Sequence, residues 1–204
     1  MRDRGFTLIE IAIVIVIIGL LIGGVLKGGS LIEGAKVSNA ITLAQDLSVA
    51  VNTFKQQYHM LPGDMLITTE IPNVRTECKI GGSNAGDNNG LIDATESRCV
   101  PEVLFQAGLA KVDQEGGWAV FKSYYGPVTV IATSKSNVGT SSSQFAPSIT
   151  HVVEFANLPC EVAQEMDRKI DNDDLATGKA IAEGVAVGST CVAGSIVPYY
   201  AVAL

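Results

Sequence analysis

Histidine occurs only twice in the 204 residues, as His59 and His151, and the four cysteines form no Cys-x-x-Cys pair. A zinc site of closely spaced ligands therefore has no local framework. Gly-x-Ser-x-Gly, His-Glu-x-x-His and the phosphate-binding Gly-x4-Gly-Lys-Ser/Thr are all missing. With them go the usual sequence marks of a serine hydrolase, a zinc peptidase and a P-loop nucleotidase, and the chain reads as a non-enzyme. Basic residues are scarce as well. Fourteen Lys and Arg stand against 21 Asp and Glu, a net charge of −7, and no basic run exceeds Arg168-Lys169. That is the wrong sign for a surface that binds nucleic acid by releasing counterions.

Apolar residues are abundant, and many lie at one end. Residues 6–26, FTLIEIAIVIVIIGLLIGGVL, hold 16 apolar side chains in 21 positions, and Ile11 to Leu26 carries no charge. Roughly 44% of the remaining residues are also apolar, enough for a globular core, so disorder is excluded. At ~1.5 Å per residue the segment reaches about 31 Å as a helix, which matches the hydrocarbon thickness of a bilayer. Arg2 and Arg4 outweigh Asp3 just before it, which predicts a cytoplasmic start with the rest of the chain across the membrane. A secretory signal would end its apolar stretch sooner, at a small-x-small cleavage site. This stretch runs into Val25-Leu26-Lys27-Gly28-Gly29 instead.

Glu10 is the one charge inside the apolar stretch, and a carboxylate in a membrane helix is costly unless it has a task. The string Arg4-Gly5-Phe6-Thr7-Leu8-Ile9-Glu10 with its apolar helix resembles the start of type IV prepilins and type II secretion pseudopilins. The resemblance implies cleavage after Gly5 by a membrane prepilin peptidase, methylation of the new Phe6 amine by the same enzyme, and assembly into a helical filament. It makes Phe6 and Glu10 the assembly residues and residues 1–5 a leader. It also implies an inner-membrane assembly platform and assembly ATPases as partners, other pilins as filament neighbours, and no nucleic acid. Cleavage exposes an α-amine with a pKa near 7.7, a cation that needs a counter-ion in a dry helix bundle. Glu10 of a neighbouring subunit would supply one and would fix the stagger of an open helical array. The alternative for Glu10 is that it favours its own helix N-terminus or snorkels to the head groups.

Beyond Lys27 the helical pattern continues. Val37, Ile41, Ala44, Leu47, Val51, Phe54 and Tyr58 recur in steps of three and four, which predicts an amphipathic continuation over residues 27–59, ended by Pro62-Gly63. Residues 60–204 are then one globular domain. Within it a short helix is expected from Val100, a hairpin from Trp118 to Thr133 turning at Gly126-Pro127, and a strand from Ile149 to Phe155. A helix is expected from Pro159 to Ile170, and a last strand or two within 184–203. The fold class is α+β, a long N-terminal helix packed on a small antiparallel sheet. Leu61-Pro62-Gly63-Asp64, the Asp-Asn-Asn-Gly loop and Met166 to Asp171 also resemble prepilin-family members, loosely.

Cys78, Cys99, Cys160 and Cys191 all lie beyond the membrane segment, where an oxidising compartment favours disulfides. Of three connectivities, Cys78 with Cys99 and Cys160 with Cys191 each close one contiguous loop. Asp87, Asn89, Asp93 and Glu96 are candidate calcium ligands on a loop that partly fits the EF-hand pattern, although Ala85 stands where its first carboxylate belongs. Asp171-Asn172-Asp173-Asp174 is a second acidic run, read as an exposed turn. The rival to a filament subunit is a solitary membrane-anchored binding module.

Overall fold

The computed structural model describes residues 7–136, 138, 145–186, 188, 191, 192 and 194–204. Gly5 and Phe6 lie outside the described residues. Helix α1 spans Leu8–Tyr58, so the expected continuation past Lys27 is present without a break. His59 ends it, with a left-handed φ of 58° and its N–H bonded to Lys55 O at 2.9 Å, three residues before the expected Pro62-Gly63. The contacts divide the chain into two units, Met1–Ser38 and Asn39–Leu204.

In the first unit Leu8 at 93%, Val25 at 76% and Leu31 at 72% stand exposed, whereas Val37 is buried. Among the described residues α1 is the one helix long and apolar enough to cross a membrane.

In the second unit, Ala40, Ala44, Leu47, Val51 and Phe54 of α1 are buried, in steps of four and three that keep one face inward. Ile41 and Tyr58, both expected on that stripe, are only half-buried. Tyr58 stacks on Phe54, ring centroids 4.5 Å apart. The chain then passes through an irregular loop with two 3-10 turns, Thr76–Cys78 and Glu96–Arg98, to a short helix α2, Val100–Gln106. Gly63 sits at φ +92°, and a Cβ there would meet Glu96 O and Val100 Cγ2, each at 2.8 Å, so only glycine fits the loop's first close approach.

Six strands form one antiparallel sheet: β1 Asp113–Glu115, β2 Trp118–Lys122, β3 Pro127–Ala132, β4 His151–Pro159, β5 Ala180–Ala182 and β6 Ile196–Ala203. Their order is β1-β2-β3-β4-β6-β5. The fold is α+β, as the sequence predicts. β2 and β3 make the expected hairpin, and β4 at the centre pairs with β3 and β6. Strand alternation puts Val128, Val130, Val153, Phe155, Tyr200 and Val202 on one face and Ile131, Val152, Ile181 and Ala201 on the other. Both sets are buried, which accounts for the nearly continuous apolar run of β4. Helix α3, Cys160–Ile170, follows β4 and contacts β4, β5 and β6. Two short strands were not foreseen. β1 is exposed at all three positions, and β5 has three residues, too few for a period to show.

Candidate functional site

The acidic loop before α2 takes its shape from carboxylates that accept main-chain N–H groups. Asp64 receives Asn89 N and Gly90 N on its two oxygens, each at 2.9 Å. Its own carbonyl receives Asn88 N at 2.9 Å. Glu96 receives Asp87 N at 3.0 Å and Asp93 N at 2.9 Å. Asp93 returns the bond by accepting Glu96 N at 3.0 Å and the Thr95 hydroxyl at 2.6 Å, a reciprocal cap on the second 3-10 turn. Gly86 lies so close to the Asp64 main chain that a Cβ would overlap it.

Asp64, Asp87 and Glu96 bring carboxylate oxygens within 4.8 Å of one another, the one such group of three acids among the described residues. Burial pushes Asp64 and Glu96 above the usual carboxylate range, and their main-chain N–H donors pull each back in part. Asp93 is held low, first by the Thr95 hydroxyl and then by Glu96 N–H. Of the four expected calcium ligands, Asp87 and Glu96 thus meet. Asn89 hydrogen-bonds Asp87 through its amide, and Asp93 is occupied with the turn. Asp64, not among the expected ligands, completes the group from 23 residues before Asp87.

The cysteines pair as Cys78–Cys99 and Cys160–Cys191, with Cα atoms 5.7 and 5.5 Å apart, and no free cysteine remains. The first bridge ties the Thr76–Cys78 turn to the residue preceding α2, and the second ties the first residue of α3 to the segment before β6. Trp118 has the Arg75 guanidinium 4.4 Å and that of Arg98 4.3 Å from its ring centre, close enough for cation–π attraction. His151 is buried and holds the loop to β4, its Nε2 accepting Ile92 N at 3.3 Å. Burial, then Lys55, lowers its pKa, so the imidazole stays neutral, with Nδ1 donating to Thr150 Oγ1 at 3.1 Å.

At the other end of the chain, Thr7 precedes the first residue of α1. Its hydroxyl oxygen accepts Glu10 N at 3.3 Å. Glu10 Oε2 accepts both Thr7 N and Thr7 Oγ1 at 2.8 Å. Thr7-Leu8-Ile9-Glu10 is therefore a capping box, in which an N-cap hydroxyl and a carboxylate three residues on satisfy each other's N–H. The spacing Thr-x-x-Glu ahead of an apolar run is the sequence signal for it. Sequence reading singled out Glu10 and not Thr7.

The family model described as the prokaryotic N-terminal methylation motif matches residues 1–26. The chain begins with a prepilin-type methylation signal. This motif covers Gly5, Phe6 and Glu10 together with α1 from Leu8 to Leu26. No curated protein and no solved structure matches the chain. The prepilin-type signature thus stands on its first 26 residues, and the domain behind it is described by its own geometry.

Proposed function

We propose that the protein is a structural subunit, a pilin or pseudopilin, of a type IV pilus or a type II secretion pseudopilus. It is assembled through α1 after cleavage between Gly5 and Phe6. The observation that carries this reading is the methylation motif joined to an apolar helix with a single acid, Glu10, in its first turn. Before assembly the helix anchors the chain in the inner membrane by one pass, with the disulfide-bonded domain on the periplasmic side. Processing by the prepilin peptidase and extraction by the assembly platform follow from the same motif.

The capping box is the alternative role given above for Glu10, service to its own helix N-terminus, and it is compatible with the assembly role. Glu10 uses Oε2 for Thr7, and Oε1 has no hydrogen-bond partner among the described residues. One oxygen can keep the first turn of the helix satisfied while the other receives a neighbouring subunit's Phe6 amine. The attraction of two charges is strongest away from water, so such a pair selects register in a bundle of otherwise apolar helices. The exposed apolar side chains of α1, among them Leu8, Ile15, Leu20, Val25 and Leu31, suit both environments, lipid before assembly and neighbouring helices after it.

Mass spectrometry of the mature N-terminus tests the reading. An N-methylated Phe6 is expected. A retained Met1, or cleavage beyond Lys27, overturns it and favours a plain anchor or signal. Sheared surface filaments that contain the protein, and that disappear in Glu10→Ala cells while the cleaved protein persists in the membrane, are the expected cellular result.

A further inference from the structure

The two arginines that reach Trp118 are not equivalent. Arg75 donates through Nη1 to Gly117 O and lies 3.8 Å from Glu77 Oε2, so its charge is met within the domain. The Arg98 side chain is exposed, and among the described residues it makes no hydrogen bond and no ion pair; its guanidinium carbon lies 4.3 Å from the indole ring centre. A guanidinium packed against a ring by its face keeps its N–H donors in the plane, open at the edge. The main chain that carries Arg98 is fixed on both sides. Ser97 Oγ donates to Ala94 O at 3.0 Å and Cys99 N to Glu96 O at 2.8 Å, and Cys99 is bridged to Cys78.

Arg98 and Trp118 line a cavity of about 360 Å³, walled by the second 3-10 turn on one side and by β2 and β3 on the other. Alternation buries Ala119, Phe121, Val128 and Val130 and leaves Trp118, Val120, Pro127 and Thr129 half-buried or exposed, which gives the cavity an apolar wall. Its polar groups are few. Glu115 stands opposite Trp118 in the β1–β2 register, with its carboxylate 3.6 Å from Lys122 Nζ. The Thr129 hydroxyl is half-buried and makes no hydrogen bond among the described residues. Apolar walls with a small number of placed polar groups are the usual make-up of a small-ligand site, and the volume lies at the lower end of the range for such sites.

We propose that this cavity binds a sugar acid, one carboxylated pyranose ring of an acidic polysaccharide, with the carboxylate on Arg98. A guanidinium meets a carboxylate through two parallel N–H···O bonds, a geometry that lysine does not offer. The C–H face of a pyranose suits the wall of Trp118, Val120 and Pro127. Its hydroxyls suit Thr129 and Glu115, whose charge Lys122 offsets. In a chain of net charge −7 an unpaired guanidinium in a cavity stands out, since Lys36, Arg75, Lys122, Arg168 and Lys169 each pair with a carboxylate. The site belongs to the domain alone and is independent of how the N-terminus is processed.

Trp118 is the only tryptophan of the chain, so its fluorescence reports on this cavity directly. The full chain in detergent micelles is titrated with D-glucuronate, and a saturable change in emission is expected. D-glucose, inorganic phosphate and a triglutamate peptide are each expected to bind about tenfold more weakly or worse. Arg98→Gln should weaken glucuronate by about tenfold or more and Arg98→Lys severalfold, with calorimetry giving the same affinities without relying on emission. Thr129→Val keeps Arg98 on its ring and should weaken glucuronate severalfold. No saturable change in the wild type overturns the site. So does unchanged affinity in Arg98→Gln or, where that variant does not fold, in Thr129→Val. Glucose binding as tightly as glucuronate refutes the role of the carboxylate. Phosphate binding as tightly leaves only a general anion patch, and triglutamate a peptide site; either result refutes the proposal.

Discussion

Asp64→Ala separates a carboxylate that shapes its loop from one that merely sits in it. In the wild type the two oxygens of Asp64 receive Asn89 N and Gly90 N at 2.9 Å. Truncation leaves both N–H groups in a partly buried turn without an acceptor. Each unsatisfied donor costs about 1–3 kcal/mol. Against this, the variant no longer buries a charge, and the raised Asp64 pKa, caused first by desolvation, shows that burial is not fully offset by the two bonds. The net expectation is a loss of about 2–4 kcal/mol, or roughly 5–15 °C in Tm for a domain of this size. Asp64→Asn keeps one acceptor and is expected to lose about half as much. Thermal unfolding followed by circular dichroism gives the total. Hydrogen exchange by mass spectrometry gives the location, with protection falling first in residues 86–92. If Asp64→Ala lies within about 0.5 kcal/mol of wild type and residues 86–92 exchange as before, the loop is held by something other than its carboxylates.

Acidification from pH 7 to pH 5 is expected to stabilise the domain. The folded Asp167 pKa of about 6 lies above its unfolded 3.8, so its contribution is present below pH 3.8 and lost as pH rises through about 6. The gain is about 1–3 kcal/mol, against which His151, held neutral by burial, works in the opposite direction. Asp167→Asn should lose the rise, and a Tm profile identical to wild type would contradict the assignment. Phe54→Ala empties a fully buried site and should cost about 3–5 kcal/mol in urea unfolding. Replacing Cys160 and Cys191 together by serine opens a bridge of separation 31 and should cost about 3–4 kcal/mol, read by the same titration. Thr7→Val removes the N-cap hydroxyl while Glu10 remains. It should leave cleavage intact and lower the helicity of a residue 6–26 peptide in micelles, with no change in circular dichroism counting against the capping box.

What could be read from the sequence was local and periodic. The 3.6-residue stripe of α1, the β2–β3 hairpin and α3 all followed from spacing, because each is built from neighbours in the chain. The two disulfides followed from contiguous loops for the same reason. The Asp64 group could not be read this way, since Asp64 reaches residues 25 and 26 positions away and nothing in the intervening chain encodes that meeting. Asp167 was concealed by its company. The apolar spacing of α3 points to a buried face through Val162, Met166 and Ile170. The structure instead buries Val162, Ala163, Met166 and Asp167 and leaves Ile170 half-buried. A charged residue on the inner row is what a hydrophobic pattern assigns to solvent. Thr7 was legible, as the first letter of a capping box, once the first turn of α1 was fixed at Leu8.

The two disulfides also bear on how the domain yields to tension. Cys78–Cys99 and Cys160–Cys191 span 21 and 31 positions. If the chain is pulled from its ends, the residues inside these loops cannot pay out. About 50 residues, or roughly 170 Å of contour length at ~3.4 Å per residue, are withheld from any extension. The second loop also contains α3 and β5, so both stay tethered even after the β4–β6 pairing has parted. A subunit stretched in this way lengthens less, and keeps more of its parts close together for refolding, than the same chain with its thiols reduced.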